Sequence, residues 1–182
     1  MKQAIIIVTC NKSNKTFLPD LLQSIVGTKY PIIIYNNMVD TNEFEIGAIK
    51  FAIDFGIDEF FLLHDSVIIK NIDLFDIVFN KYSGSTVYLG SNFMSFLGKY
   101  RSEVLKTLEL PSPKTRLDSC VAEFNFLPKY LDSEPNKVEL FPDFWKQPEK
   151  FEFKHGRENM VIDNDYLIKY KGHWTSSMLY DD

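Results

Sequence analysis

Three polar residues, His64, Asp65 and Ser66, directly follow the apolar run 60–63, which reads Phe-Phe-Leu-Leu. Four consecutive large apolar residues are typical of a strand buried on both faces, as in a mostly parallel sheet covered by helices. In open sheets of that kind, ligands bind beyond the carboxyl ends of the strands, so these polar residues lie where chemistry would be placed. The alternative is that Asp65 only caps a turn, because Asp followed by Ser is also ordinary turn chemistry.

The segments before this run predict the elements that position it. Segments 4–9 and 32–35 are apolar and rich in β-branched residues, which indicates two strands. Segments 17–26 and 45–55 carry apolar residues at helical spacing, and a glycine follows each of them. With 60–63 as the third strand, the order strand, helix, strand, helix, strand predicts an α/β fold with a parallel sheet.

Polar residues also end the first two predicted strands. Thr9 closes the first strand and a glycine-free polar loop containing Asn11 follows it, while Asn36 follows the second strand. Such a loop can hold a nucleotide, but it is neither a Walker loop nor a dinucleotide fingerprint, which counts against a nucleotide hydrolase or a dehydrogenase. Asn36 could pair with a base or a ribose, although an asparagine at this position more often only turns the chain.

The second half of the chain gives a less regular pattern. It predicts helices over 73–82, 100–108 and 116–126, strands over 86–90 and 160–162, and an irregular, proline-containing segment over 132–150. The last predicted helix leads directly into the sequence Leu-Pro-Lys-Tyr at 127–130.

The order of elements, the polar loop after the first strand and the His64-Asp65-Ser66 ending resemble a nucleotide-sugar glycosyltransferase of the GT-A fold. In that family the equivalent strand ends in an Asp-x-Asp motif, whose carboxylates hold a divalent cation that neutralises the leaving diphosphate. Here the motif is degenerate, because His64 takes the first acidic position and Ser66 the last. A single carboxylate holds Mg²⁺ or Mn²⁺ weakly unless another ligand joins it, and the resemblance implies Asp65 as one metal ligand.

The resemblance extends to the acceptor side of the site. Segment 116–130 is similar to the Asp-Gln helix and the Leu-Pro-x-x-Tyr segment of some GT-A transferases, in which the aspartate faces the acceptor sugar. Asp118 takes that place, so the resemblance implies a catalytic role for it, whereas Ser119 stands where the glutamine is usual.

The same resemblance gives roles to residues near the end of the chain. Many GT-A enzymes have a late histidine as a further metal ligand, with basic residues nearby that grip the diphosphate. His173 is the best candidate for the metal ligand, although a lone histidine is as often structural. Arg157 and Lys171 are the candidates for binding the diphosphate of the donor, with Thr9, Asn11 and Asn36 contacting its nucleoside.

The resemblance implies a single compact GT-A-like domain over 1–182, an α/β fold with a Rossmann-like, mostly parallel sheet flanked by helices. Residues 1–90 would form the nucleotide-binding half, and residues 91–182 the acceptor half with the closing segment. The implied function is transfer of a sugar from a nucleotide-sugar donor to a saccharide or other acceptor, assisted by Mn²⁺ or Mg²⁺. The acceptor half is short for such an enzyme, so completion by a second subunit of a homo-oligomer or by a companion domain stays open.

Two alternatives stay open beside this interpretation. A degenerate GT-A domain could bind a nucleotide or a sugar without catalysis, which the missing second carboxylate favours. An unrelated doubly wound α/β binding domain is the other alternative, and a strand order of the flavodoxin kind would favour it.

Composition limits the classes of partner. A hydrophobic content of 45% and an aromatic content of 15% over 182 residues predict a globular domain. The net charge of −5 gives no electrostatic indication of nucleic acid or an anionic membrane as a partner. The first apolar segment is too short for a signal peptide or a membrane span, so we expect a cytoplasmic protein without a transmembrane segment. Cys10 and Cys120 have no metal-binding spacing and are expected to be free thiols.

Overall fold

The computed structural model describes residues 1–9, 17–36, 43–89, 97–142 and 160–170. The strands are β1 (Gln3–Thr9), β2 (Ile32–Asn36), β3 (Glu59–His64), β4 (Val67–Ile69), β5 (Thr86–Tyr88), β6 (Gly98–Arg101), β7 (Lys137–Glu139), β8 (Met160–Asp163) and β9 (Leu167–Tyr170). The helices are α1 (Leu18–Ser24), α2 (Phe44–Asp54), α3 (Asp73–Asp76), α4 (Ser102–Leu105) and α5 (Arg116–Ser133), and α3 continues as a π-helical segment over Ile77–Lys81.

A six-stranded sheet with the order β2-β1-β3-β6-β5-β7 forms the centre of the fold. Strand β1 is parallel to both β2 and β3, β6 is antiparallel to β3 and β5, and β7 is parallel to β5. Every strand of this sheet except β6 therefore points the same way, which confirms the predicted mostly parallel sheet. The antiparallel strand next to β3 also distinguishes the sheet from the flavodoxin order.

Strand β3 is buried on both faces, as its unbroken apolar sequence predicts. Phe61 and Leu63 pack in the core cluster on the side of α1 and α3, whereas Phe60 and Leu62 pack in the cluster on the side of α2 and α5. All four side chains are fully buried. Helices therefore cover the sheet on both sides, and this covering sets the position of the residues that follow β3.

The helices that connect the first three strands lie where the apolar spacing predicts them. Helix α1 lies within the predicted segment 17–26, and α2 begins one residue before the predicted segment 45–55 and ends one residue before its end. Gly27 and Gly56 follow these helices with φ of 92° and 69°, a backbone conformation that a residue with a side chain rarely adopts. Each glycine thus ends its helix and turns the chain toward the next strand.

The predicted helix over 100–108 is wrong in its first part. Gly98–Arg101 forms β6, and only Ser102–Leu105 is helical. Strand pairing prevails because Gly98 lies so close to the Val87 carbonyl that a Cβ atom would overlap the carbonyl oxygen, and because Lys99 is buried beside Glu59 of β3. Both interactions involve residues distant in sequence, which helical periodicity cannot report.

Other differences concern the ends of elements and short strands. Helix α5 continues through Pro128 to Ser133, beyond the predicted end at 126. Strand β7 lies inside the segment that was expected to be irregular, and β4 has no counterpart among the predicted elements. Strands β5 and β8 lie at the predicted positions.

A second sheet of three strands, with the order β4-β9-β8, lies beside the carboxyl end of β3. Strand β4 begins three residues after the end of β3 and pairs with β9 in antiparallel register. This small sheet therefore brings a late part of the chain to the residues that follow β3. Within the described ranges, no helix is long and apolar enough to cross a membrane.

Candidate functional site

The carboxyl ends of β1, β2 and β3 meet at one edge of the main sheet. In the parallel register Thr9 pairs with Asn36, and Val8 pairs with His64. The backbone N–H of Asp65 donates to the Val8 carbonyl at 3.1 Å, so the parallel pairing continues one residue beyond β3. Thr9, Asn36 and the three residues after the apolar run consequently lie at the same edge, as their positions in the sequence predict.

Thr9 and Asp65 form a direct contact within this edge. The Thr9 hydroxyl donates to Asp65 Oδ2 at 2.6 Å, and both side chains are buried. A hydrogen bond to an ionised carboxylate is stronger than one between neutral groups, so it fixes the orientation of the Asp65 side chain. Thr9 therefore acts on Asp65 directly, in addition to its predicted contact with a nucleoside.

Helix α2 places Glu45, in its first turn, against His64. Glu45 Oε1 lies 2.9 Å from His64 Nε2, and the side chains are 16% and 19% exposed. The Nε2 atom has no hydrogen bond of favourable geometry in the described part of the chain, so we regard this contact as mainly electrostatic. Burial opposes ionisation of Glu45, but the adjacent His64, and more weakly Lys169, hold the pKa of this carboxyl below its ordinary value.

Strand β9 brings Lys169 to the same place. Lys169 pairs with Val67 of β4, and the N–H of Tyr170 donates to the Ser66 carbonyl at 2.9 Å. The Lys169 ammonium donates to the Ser66 hydroxyl in a short hydrogen bond, and its Nζ atom lies 3.5 Å from His64 Nδ1. Only 8% of Lys169 is exposed. We call Glu45, His64, Ser66 and Lys169 the carboxyl-end cluster.

Neither Glu45 nor Lys169 is among the residues that the sequence predicts for the site. Glu45 begins an amphipathic helix, where an acidic residue is ordinary. Lys169 carried a usable signal, because it alternates with Leu167 in β9 and both residues are buried. A lysine at an inward position of an alternating strand indicates a buried partner or a ligand.

Four of the residues predicted for the site lie outside the described residues: Asn11, Arg157, Lys171 and His173. Their roles stay predictions. Asn36 lies at the site edge and is exposed, as a contact with a nucleoside requires.

Asp118 lies in the first turn of α5 and forms a capping box with Thr115. Its carboxylate accepts the backbone N–H groups of Thr115 at 2.9 Å and Lys114 at 3.1 Å, while its own N–H donates to the Thr115 hydroxyl at 3.1 Å. The N–H of Thr115 first, and that of Lys114 second, hold the pKa of Asp118 below its ordinary value. The side chain is exposed and has a structural role at the start of the helix, and its catalytic role stays a prediction.

A divalent metal does not fit the described residues of this site. No group of three or more His, Cys, Asp and Glu side chains suited to a metal occurs in the described ranges. Lys169 lies between the two residues that flank Asp65. The Lys169 ammonium would repel a divalent ion placed beside it. A metal at Asp65 would therefore need further ligands, and the predicted one, His173, lies outside the described residues.

The chain matches no protein-family model and no curated protein. Among solved structures, S. aureus TarS 1-349 in complex with UDP-GlcNAc is similar with a TM-score of 0.56 and 12% identity, over 100% of this chain and 61% of that chain. A197 from STIV is similar with a TM-score of 0.51 and 12% identity, over 76% of this chain and 82% of that chain. The longer TarS structure also matches, with a TM-score of 0.51 and 12% identity over 78% of this chain, which spans 35% of it.

At these identities the likeness concerns the fold alone. The fold is GT-A-like, a compact α/β domain with a mostly parallel mixed sheet flanked by helices, and the predicted fold class is confirmed.

Proposed function

We propose that this chain binds a nucleotide-activated sugar at the carboxyl edge of β1, β2 and β3 and transfers the glycosyl group to an acceptor. The observation that carries this proposal is the convergence of Thr9, Asn36 and the residues after β3 at one sheet edge, in a GT-A-like fold. The likeness to TarS in complex with UDP-GlcNAc, over the full length of this chain, supports a uridine diphosphate sugar as the first donor to test.

The nucleoside would contact the ends of β1 and β2. Asn36 is exposed there beside Thr9. Asn11, two positions after Thr9 in the sequence, is proposed as a second contact with the nucleoside. Arg157 and Lys171 are proposed to bind the diphosphate, because their charge suits the leaving group. In this proposal residues 1–90 hold the nucleotide, and residues 91–182 provide the acceptor side and close the site.

Transfer breaks the bond between the anomeric carbon and a diphosphate oxygen and forms a bond from that carbon to an acceptor oxygen. The acceptor proton must pass to a base, and we propose Asp118 for this role. The exposure of its side chain supports this role.

Binding without transfer is the second candidate function. The observation that favours it is that His64 and Ser66 stand at the two positions where the motif has acidic residues, and that both side chains contact Lys169. A chain of this kind would bind the donor and leave it intact.

Thermal unfolding in the presence of nucleoside diphosphates and their sugars tests the proposal. A ligand at about 100 times its Kd stabilises the native state by about 2.7 kcal/mol, which raises Tm by roughly 5–10 °C at this chain length. We expect such a shift with at least one nucleotide sugar. Absence of a shift with all four common nucleoside diphosphates, with and without Mn²⁺, would contradict the proposal.

Two further measurements refine the result. Release of free nucleoside diphosphate from the bound sugar donor distinguishes transfer or hydrolysis from binding alone. Asn36→Ala should weaken donor binding, whereas the control Asn125→Ala, at an exposed position on α5, should leave the affinity unchanged. Equal affinities in the two variants would remove Asn36 from the site.

A further inference from the structure

Lys169 stands where a sugar-nucleotide site of this fold would need a positive charge. Its ammonium contacts the Ser66 hydroxyl and lies 3.5 Å from His64 Nδ1, so it lies between the side chains on either side of Asp65. By resemblance, these two flanking positions are the acidic ones of the Asp-x-Asp motif. We infer that the Lys169 ammonium binds the donor diphosphate directly and takes the place of a divalent cation. This inference rests on the proposed function.

The fold holds Lys169 at this position through its backbone. Pairing with Val67 and the hydrogen bond from the Tyr170 N–H to the Ser66 carbonyl fix β9 against the chain that leaves β3. Because Leu167 and Lys169 both point inward, a shift by one residue would expose Leu167 and remove Lys169 from the site. The charge is therefore placed by two strands rather than by a mobile loop.

The chemistry of the contacts suits a phosphate group. A lysine ammonium has three N–H donors and binds phosphate as a point charge. Ser66 adds a hydroxyl that can donate to a phosphate oxygen, and the His64 ring lies beside it. In place of a carboxylate pair, the two positions that flank Asp65 present an imidazole and a hydroxyl, and both contact the Lys169 ammonium.

A nearby carboxylate keeps this charge from being isolated. Glu45 lies 2.9 Å from His64, and its charge also interacts with that of Lys169. This interaction offsets part of the free-energy cost of burying an ammonium. The cluster is not sealed from solvent, because Glu45 and His64 each retain part of their exposed surface.

The experiment measures binding of UDP and of inorganic diphosphate to the full chain by calorimetry, in EDTA and in Mn²⁺. Inorganic diphosphate reports on the charged group alone, while the other common nucleoside diphosphates test the base. We expect wild-type affinity in EDTA to lie within about twofold of that in Mn²⁺. Lys169→Met should weaken binding in EDTA roughly tenfold to hundredfold, which is the range for loss of a hydrogen bond to a charged group. Lys169→Arg should retain most of the affinity.

Lys70→Met is the matched control. Lys70 follows β4 in the same region, but its ammonium forms an exposed ion pair with Asp163 at 2.8 Å. Its removal should leave the affinity for diphosphate unchanged. If Lys70→Met weakens binding as much as Lys169→Met does, general surface charge explains the result and the inference is overturned.

The outcomes separate this inference from the proposed function. If the wild-type chain binds in Mn²⁺ but not in EDTA, the proposed function is retained and the role of Lys169 is overturned. The wild-type chain alone is sufficient for this test. Binding in EDTA that Lys169→Met leaves intact in the folded protein also overturns the role of Lys169. Absence of binding under both conditions overturns the inference and the proposed function together. Should Lys169→Met fail to fold, the wild-type comparison of EDTA and Mn²⁺ and the Lys169→Arg variant still decide the result.

Discussion

Strand β3 has a buried group of charged residues at each end, and the two groups differ in how their charges are satisfied. At its amino end lies the amino-end cluster, formed by Gln3, Glu59, Gly84 and Lys99. At its other end lies the carboxyl-end cluster. Both contain a buried lysine and a glutamate, so residue composition alone does not distinguish them.

In the amino-end cluster the partners come from neighbouring strands of one sheet and from the turn before β5. Glu59 accepts from the N–H of Gly84 at 2.7 Å and from the Gln3 amide at 3.0 Å, and it lies 3.1 Å from the Lys99 ammonium. Lys99 also donates to the Tyr82 carbonyl at 2.7 Å and is fully buried. Burial lowers the pKa of Lys99 below its ordinary value, and the adjacent Glu59 opposes this shift. Because the hydrogen bonds and the ion pair satisfy these groups within the fold, we interpret this cluster as structural.

In the carboxyl-end cluster the charges come from elements that are distant in sequence. Helix α2 provides Glu45, β3 provides His64, and β9 of the second sheet provides Lys169. The contact from Glu45 to His64 is mainly electrostatic, and both side chains remain partly exposed. We infer that the amino-end cluster stabilises the fold, whereas the carboxyl-end cluster, in which Glu45 and His64 remain partly exposed, is the one suited to a ligand.

The largest expected effect is on stability, at the amino-end cluster. Glu59→Gln keeps the size of the side chain but removes the charge that faces the buried Lys99 ammonium. Loss of one partner of a buried pair costs about 3–5 kcal/mol of unfolding free energy. Urea denaturation measures this change, and affinity for UDP in the folded protein should not change.

The double variant Glu59→Gln with Lys99→Met provides the control for this prediction. Because it removes both charges, it should recover much of the lost stability. If Glu59→Gln alone lowers the unfolding free energy by less than about 1 kcal/mol, the pair contributes no more than an ordinary surface salt bridge. That result would contradict the structural role of the amino-end cluster.

A smaller loss of stability and a clear loss of binding are expected at Thr9. Thr9→Val keeps the shape of the side chain but removes the hydrogen bond to the buried Asp65 carboxylate, which costs about 1–3 kcal/mol. The freed carboxylate can rotate, so affinity for UDP should also fall. Denaturation in urea and calorimetry on the same sample measure the two effects.

Thr107→Val is the matched control for Thr9→Val, because the Thr107 hydroxyl is exposed and donates within its own turn to the Val104 carbonyl at 2.7 Å. Thr107→Val should change neither the unfolding free energy nor the affinity for UDP appreciably. Unchanged UDP affinity in Thr9→Val would show that Thr9 only supports the fold.

The smallest expected effect is a dependence of stability on pH that comes from Glu45. Its pKa is lower in the folded chain than its ordinary value of 4.5, so the ionised form stabilises the fold. That contribution is fully present above pH 4.5 and is lost as the pH falls through the lowered folded-state pKa. Urea denaturation between pH 3 and pH 6 should therefore show a slope that Glu45→Gln reduces, while an identical slope in both proteins would contradict the contribution of Glu45.

The sequence by itself determined the first three strands, the helices between them and the position of the site edge. Periodicity and apolar runs report local preference, and they were sufficient for β1, β2, β3, α1 and α2. The same patterns placed Thr9, Asn36 and Asp65 at strand ends, and parallel pairing then required these residues to lie at one edge.

Only the tertiary structure decided which residues surround Asp65. Lys169 contacts Ser66 across 103 positions, and this contact exists because β9 pairs with β4. Strand β6 likewise forms where local spacing indicates a helix, since Lys99 gains a buried partner in Glu59. A local pattern specifies which way a side chain points along its own element, whereas the charge it meets there depends on which distant strand packs against it.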